Sequence, residues 1–172
     1  HLFDYEKAIS SSTGVILWAH TSNYVVKGFT KEVSLKDLAL LSKKKRIPLV
    51  VDLGSGTIIS TDNYNLPMEK NIQEISNTGA DIITFSGDKL IGGPQCGFII
   101  GKKRYINKIS QNPLHRTYRC DKWTIAFMEE TLKTFQSEEK FDSNNLSLKL
   151  LTTSRRELIV RGKRIIENIP NN

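Results

Sequence analysis

The chain has 172 residues, enough for one domain with a hydrophobic core, or for most of one domain and part of a second. Its hydrophobic content of 38% and charged content of 25% are ordinary for a globular protein. No apolar run approaches the roughly 20 residues of a membrane-spanning helix, so no membrane partner is expected. The formal charge of +7 suits an anionic partner such as a nucleic acid or a phosphorylated ligand, but it equally serves solubility.

The two cysteines, Cys96 and Cys120, lack the CxxC spacing of a zinc site or a redox motif. The first residues, HLFDYEKAI, lack the apolar stretch of a signal peptide. Together these features predict reduced, structural cysteines in a cytoplasmic protein. The sequence opens on His1 and not on methionine, and we expect it to be a piece of a longer chain.

The first half of the chain alternates predicted helices and strands. A helical spacing over Phe3–Ile9 precedes the apolar run Val15–Ala19, which predicts a strand buried on both faces. Ser34 or Thr30 is the expected cap of a helix through LKDLALLSKKK, whose lysines gather where the helix dipole favours cations. The next predicted strand, Leu49–Asp52, runs into a Gly-Ser-Gly turn.

The second half continues the alternation and then becomes helical. MEKNIQEISNTGA predicts a helix that stops at Gly79, ADIITFSGDK a third strand, and CGFIIG a short fourth strand. KKRYINKIS begins another helix, and helices are predicted from Asp121 onward. The alternation predicts an α/β fold with a mostly parallel sheet flanked by helices. Ligands of such sheets bind beyond the carboxyl ends of the strands, so we expect the polar clusters HTSN, DLGSG and SGDK to converge on one crevice.

A chemical interpretation depends on Asp52 and Lys89. Each alone has a plainer explanation, because strand-end aspartates accept backbone hydrogen bonds and isolated lysines are usually solvated. Together they suit pyridoxal phosphate: a lysine amine forms an imine with the aldehyde of this cofactor, and an aspartate pairs with its protonated pyridine nitrogen. The released lysine is then the natural base for an α-proton. The GGP that follows Lys89 lets the backbone approach a bulky cofactor, or simply forms a tight turn.

Four segments resemble the family of bacterial selenocysteine synthases, the L-seryl-tRNA(Sec) selenium transferases: HTSNYVVKGFT, DLGSG, GADIITFSGDKLIGGPQCGFIIGKK and PLHRTYRCDKWTIAFMEETL. The resemblance covers nearly the whole chain, in the family's order and spacing. It implies part of the large domain of a fold-type I pyridoxal-phosphate enzyme. The catalytic residues implied are Lys89, as the Schiff-base lysine, and Asp88. The cofactor pocket implied comprises Lys89, Asp52, Ser86, His20, Ser22 and Asn23.

The resemblance also implies a reaction. The α-amine of seryl-tRNA(Sec) displaces Lys89 from the cofactor, Lys89 removes the α-proton, and the seryl hydroxyl leaves. Selenophosphate then adds selenium to the resulting dehydroalanyl (aminoacrylyl) intermediate. The resemblance places Arg116 and Arg119 at this anionic donor; three residues apart, they would face one way on a helical turn, although a solvated pair at a helix start is the alternative. A homo-oligomer, at least a dimer, is expected from the family's fold type.

Relative to the family pattern, the chain lacks the tRNA-binding N-terminal domain, the first part of the cofactor domain and most of the small domain. We therefore expect residues 1–140 to be part of the large domain and residues 141–172 to begin the C-terminal small domain. We also expect this piece alone to be inactive. Two other functions stay open. One is a paralogous pyridoxal-phosphate lyase or transferase acting on a small amino acid; the other is a non-catalytic fragment that binds RNA or serves assembly through basic faces such as SKKKR.

Overall fold

A computed structural model of the chain describes residues 1–24, 26–137 and 144–170. The four strands of these residues are β1 (Ile16–Ala19), β2 (Leu49–Asp52), β3 (Ile82–Ser86) and β4 (Gly97–Gly101). The helices are α1 (Leu2–Ala8), α2 (Leu35–Lys45), α3 (Ile72–Asn77), α4 (Lys103–Gln111), α5 (Pro113–Tyr118), α6 (Lys122–Thr134), α7 (Leu146–Leu151) and α8 (Arg155–Glu167). The expected domain boundary after residue 140 lies outside the described residues.

The strands form one sheet in the order β1-β2-β3-β4. The first three are parallel, and β4 runs antiparallel to β3. The predicted α/β architecture with a mostly parallel sheet flanked by helices is therefore confirmed. The carboxyl ends of the three parallel strands lie at one edge of the sheet, which is where a ligand site is expected.

The two faces of the sheet differ in burial. Because side chains alternate along a strand, paired strands in register present matching rows on each face. One face packs on α2 and α3 and holds the apolar core, which includes Ile16, Trp18, Leu49, Val51, Ile83, Phe85, Leu38, Leu41, Ile72 and Ile75. The other face carries the row Ala19, Asp52, Thr84 and Ile99, of which Asp52 and Thr84 are half-buried. The polar strand-end residues thus lie on the less buried face.

Strand β1 departs from the sequence-based expectation. It lies at one edge of the sheet, and its burial alternates, with Ile16 and Trp18 buried and Leu17 59% exposed. The expected burial of Val15–Ala19 on both faces is therefore wrong. An unbroken apolar run does not reveal whether the strand it forms is central or at an edge.

Side-chain caps decide where the helices begin. Ser34 Oγ accepts a 3.1 Å hydrogen bond from the Asp37 amide, so Ser34, and not Thr30, starts α2. The Asn71 side chain accepts bonds from the amides of Gln73 and Glu74, which starts α3 at Ile72. The helix predicted from Met68 is therefore shorter than expected. Ser154 caps α8 in the same way and divides the long C-terminal helical segment into two.

A buried carboxylate ties the sheet together at the end opposite the strand-end site. Asp81 Oδ2 accepts a 2.9 Å hydrogen bond from the Leu49 amide, and its Oδ1 accepts a 2.7 Å bond from Lys102 Nζ. Ser42 of α2 also donates to Asp81 Oδ2, at 3.3 Å. Burial opposes ionisation, but the bonds from Lys102, Leu49 and Ser42 outweigh it and lower the pKa of Asp81. This network joins α2, β2 and the start of α4.

The described residues include neither a candidate membrane span nor a candidate metal site. Within 1–24, 26–137 and 144–170, no helix is both long enough and apolar enough to cross a membrane. The same residues hold no group of three or more His, Cys, Asp or Glu side chains that is arranged to bind a metal ion.

Candidate active site

Asp52, the last residue of β2, is held by one of its two carboxylate oxygens. Its Oδ1 accepts a 2.8 Å hydrogen bond from Thr84 Oγ1 and a 3.3 Å bond from the Gly54 amide. Among the described residues, none donates a hydrogen bond to Oδ2. The carboxylate is thus oriented through one oxygen, and the other is available to a ligand. Sequence reasoning missed Thr84, although it lies two residues before Ser86 and therefore on the same face of β3.

The turn after Asp52 requires glycine. Gly54 and Gly56 have φ values of +63° and +70°, in the left-handed backbone region that residues other than glycine rarely adopt. A Cβ on Gly54 would lie 2.9 Å from Ser22 Oγ, so the loop after β1 packs directly on this turn. The close approach brings Ser22 to the edge of the Asp52 site.

Lys89 and Asp52 line the same cleft. This Lys89 cleft has a volume of about 430 Å³, and Lys89 itself is solvent-exposed in the loop after β3. The lining also includes Thr84 and Ser86 on one side and Tyr118 and Cys120 on the other. Two of the three polar clusters, DLGSG and SGDK, therefore meet as expected.

Backbone hydrogen bonds fix the loop that carries Lys89. The Gly87 amide donates to the Cys96 carbonyl at 2.9 Å, and the Gly93 amide donates back to the Gly87 carbonyl at 2.9 Å. A Cβ on Gly87 would lie 2.6 Å from Cys96 Sγ, so the packing leaves little room for a side chain there. Asp88, expected to be catalytic, is exposed beside Lys89.

The third polar cluster, HTSN, lies largely elsewhere. His20 stacks on Trp18, with ring centroids 5.9 Å apart, and its Nε2 lies 3.2 Å from Glu69 Oε1. Since Trp18 belongs to the buried face, His20 points away from the face that carries Asp52. His20, Ser22 and Asn23 line a separate cleft of about 960 Å³. The structure therefore does not bring His20 and Asn23 into the Lys89 cleft, and Ser22 reaches its edge only through Gly54.

The two arginines expected at the selenium donor do not share a helical turn. Arg116 lies in the last turn of α5, but Arg119 follows the helix with extended backbone, φ −67° and ψ 140°. The expectation that their spacing makes them face one way is wrong for this reason. Both are exposed, and Arg119 lies between Tyr118 and Cys120, which line the Lys89 cleft.

Comparison with known proteins bears on the whole chain. A family model described as "SelA: L-seryl-tRNA selenium transferase" matches residues 1–172. The chain belongs to the L-seryl-tRNA selenium transferase family. An L-seryl-tRNA(Sec) selenium transferase of Alkaliphilus oremlandii (strain OhILAs) is 47% identical over 163 residues, covering 95% of this chain and 35% of the relative. One of Clostridium perfringens (strain 13 / Type A) is 43% identical over 169 residues, covering 98% of this chain and 37% of the relative.

The chain thus spans little more than a third of the length of the curated relatives it matches. Among solved structures, that of D-glucosaminate-6-phosphate ammonia-lyase matches 78% of this chain and 33% of its own, with a TM-score of 0.62 and 23% identity. At that identity the likeness concerns the fold alone.

The Lys89 cleft of this selenium transferase family member fits pyridoxal phosphate on chemical grounds. It offers one primary amine and one carboxylate with a free oxygen, which are the groups that the cofactor's aldehyde and pyridine nitrogen require. Its volume of about 430 Å³ lies within the range of small-molecule sites. Lys89 and Asp52 would hold the cofactor, and Thr84 and Gly54 would orient the carboxylate.

Proposed function

We propose that the full-length protein containing this chain converts seryl-tRNA(Sec) to selenocysteinyl-tRNA(Sec), with pyridoxal phosphate as cofactor and selenophosphate as selenium donor. One observation carries the proposal: Lys89 and Asp52 line the same cleft in a chain of the selenium transferase family. The names of the relatives support the same reaction, since both are L-seryl-tRNA(Sec) selenium transferases.

Asp52 and Lys89 are the two side chains proposed to act directly on the cofactor. Pyridoxal phosphate, when bound, supplies a ring that accepts the electron pair left on the substrate α-carbon. Asp52 would keep a proton on the ring nitrogen through Oδ2, while Thr84 and Gly54 hold Oδ1. Lys89 would hold the cofactor through Nζ, and the same amine, once free, would take the α-proton of the substrate. Asp88 and Ser86 flank this chemistry from the same loop and strand.

Arg119 lies in the chain between Tyr118 and Cys120, which line the Lys89 cleft, and Arg116 lies in the last turn of α5 just before them. In the proposed reaction they hold the phosphate of the selenium donor by charge-assisted hydrogen bonds. The seryl hydroxyl leaves as water, selenium adds to the dehydroalanyl residue that remains on the tRNA, and hydrolysis releases the phosphate of the donor. Both arginines are solvent-exposed.

The remaining roles follow from family membership. We infer that residues 1–140 belong to the large cofactor-binding domain, that residues 141–172 begin the small domain, and that the full-length protein works in the cytoplasm as at least a homodimer. His20, Ser22 and Asn23 are proposed to approach the cofactor only if the loop after β1 rearranges, because His20 now pairs with Glu69. The contact between the Asn145 side-chain amide and the Ile91 carbonyl, 3.2 Å, would couple the small domain to the Lys89 loop.

The test is to reconstitute the full-length protein with pyridoxal phosphate, reduce it with borohydride, and locate the pyridoxyl group by peptide mass spectrometry. The label is expected on Lys89 and is expected to be lost in Lys89→Ala. Lys103→Ala, which removes an exposed lysine of α4, is the matched control and should label normally. Label on another lysine, or none in a folded protein, would overturn the proposal.

The substrate is tested with the reconstituted protein. Seryl-tRNA(Sec) is expected to change the visible absorption of the bound cofactor, and free serine is not. A response to free serine with none to seryl-tRNA(Sec) would instead indicate a paralogous lyase or transferase that acts on a small amino acid.

A further inference from the structure

The two cysteines of the chain, far apart in sequence, lie on one cleft. Cys96 and Cys120 both line a groove of about 610 Å³ between β4 and α6, together with Phe98 and Met128. Both thiols are free and half-buried. Cys120 also lines the Lys89 cleft, so it belongs to the wall between the two. Among the described residues, no other has a thiol.

Burial and two acidic neighbours affect the Cys96 thiol. Burial is the main cause that raises the pKa of Cys96, and the negative charges of Cys120 and Asp88 add to it. Cys96 is therefore mostly a neutral thiol at neutral pH, suited to resolve an oxidised partner and not to react first.

Each cysteine adjoins the Lys89 cleft in a different way. The Cys96 carbonyl accepts the Gly87 amide at 2.9 Å, two residues before Lys89. Cys120 lies between α5 and α6, next to Arg119, in a non-helical position. A change at Cys96 would therefore act on the loop that carries Lys89, and a change at Cys120 would act on the wall of the Lys89 cleft.

We propose that Cys96 and Cys120 form a reversible disulfide that restricts access to Lys89. The oxidant is a peroxide. The sulfur of Cys120 gives up its proton and attacks a peroxide oxygen to give a sulfenic acid and water, and the Cys96 thiol then displaces the sulfenic oxygen as a second water. Overall the two thiols lose two electrons and two protons, and hydrogen peroxide becomes two molecules of water. A disulfide holds the two Cβ atoms about 4 Å apart, so it would fix Cys120 beside β4.

The consequence is a narrower Lys89 cleft. Cys120 and Tyr118 form one wall of the cleft, and the bond fixes that wall against the strand that begins at Gly97. Reduction by a cellular thiol restores the open cleft. Disulfides of cytosolic proteins are typically transient and redox-sensing, which suits a pair of half-buried thiols without other partners in the described residues.

The first test uses the full-length protein without cofactor, so that it does not depend on the proposed reaction. After treatment with hydrogen peroxide, tryptic digestion without reduction is expected to give residues 90–102 linked to residues 120–122. This product should be two hydrogen atoms lighter than the two reduced peptides together. Cys96→Ser and Cys120→Ser should each abolish it, and dithiothreitol should reverse it. Absence of the linked peptide, or a bond between two copies of the chain instead, would overturn the proposal.

The second test measures access to Lys89. The reduced and oxidised proteins are treated briefly with an amine-acetylating reagent, and acetylation of Lys89 is compared with that of the exposed Lys103. Oxidation is expected to lower the Lys89 signal several-fold relative to Lys103, with recovery after dithiothreitol and no effect in Cys120→Ser. A disulfide that leaves Lys89 equally reactive, or makes it more reactive, would contradict the restricted access.

Discussion

Thr84 Oγ1 donates a 2.8 Å hydrogen bond to Asp52 Oδ1 across the parallel pair β2 and β3, where the two residues are register partners. Thr84→Val keeps the shape of the side chain and removes the donor. We expect it to weaken pyridoxal phosphate binding about five-fold, the equivalent of roughly 1 kcal/mol for one hydrogen bond. Equilibrium titration of the full-length protein with the cofactor measures this. Thr84→Ser retains the hydroxyl and is the control; equal loss in both variants would contradict an orienting role.

Arg119→Ala tests the proposed donor site. Arg119 is exposed beside the Lys89 cleft but does not line it, so its loss should leave cofactor binding unchanged. We expect the apparent KM for selenophosphate to rise at least ten-fold, since a charge-assisted bond to phosphate contributes about 1.5–3 kcal/mol. Steady-state kinetics together with a cofactor titration separate the two effects. Equal losses of cofactor and donor affinity would place Arg119 at the cofactor instead.

Asp81→Ala tests the network at the far end of the sheet. It leaves the amide of the fully buried Leu49 without its acceptor, which costs about 1–3 kcal/mol. Lys102→Met removes only a partly exposed partner, for which the expected loss is about 0–1 kcal/mol. Urea denaturation of the full-length variants gives both values. If Lys102→Met costs as much as Asp81→Ala, the ion pair and not the buried amide dominates.

The same carboxylate predicts a pH dependence. Burial alone would raise the pKa of Asp81, but its hydrogen bonds with Lys102 and Leu49 lower it below the ordinary value, so the folded state favours the ionised form. The resulting stabilisation is fully present above the unfolded pKa of about 3.9 and is lost as the pH falls through the lower folded pKa. Urea midpoints of wild type and Asp81→Asn should therefore converge below about pH 4. A difference that stays constant as the pH falls further below about 4 would refute the assignment.

Two glycines at the ends of β4 form a matched pair. A Cβ on Gly101 would collide with the Asp81 carbonyl oxygen and lie 2.9 Å from Ile82 Cα, whereas a Cβ on Gly97 would meet nothing within 4 Å. Backbone atoms cannot rotate away as a side chain can, so Gly101→Ala should lower stability by several kcal/mol, on the order of the largest single-residue effects. Gly97→Ala should change it by less than about 1 kcal/mol. Thermal unfolding compares the two; similar midpoints would show that β4 shifts to accommodate the methyl group.

Much of the fold was predictable from local signals. The apolar run before Asp52 gave strand bounds that match β2, and Ser34, one of the two expected caps, starts α2. Errors occurred where tertiary context decides. The helix expected from Met68 begins only at Ile72. The Thr57 amide donates a hydrogen bond to the Lys70 carbonyl and the Ile72 amide donates to the Thr57 carbonyl, and these bonds hold the preceding residues extended.

The site was predictable only in part. The pairing of β2 with β3 brings Asp52 near the SGDK loop, as strand-end clusters suggested. Alternation along β1 could have placed His20 on the face of Trp18, but its contact with Glu69 depends on the tertiary structure and was not predictable. Nor did spacing reveal that α5 ends at Tyr118 and leaves Arg119 extended.

In β2, Val51 is fully buried while Asp52, its neighbour, faces the Lys89 cleft. Inserting or deleting a single residue in this strand would exchange their orientations, sending a carboxylate into hydrocarbon and an isopropyl group toward the reactants. Substitutions in β2 that keep the alternation of buried and cleft-facing residues are therefore easier to accommodate than any insertion or deletion.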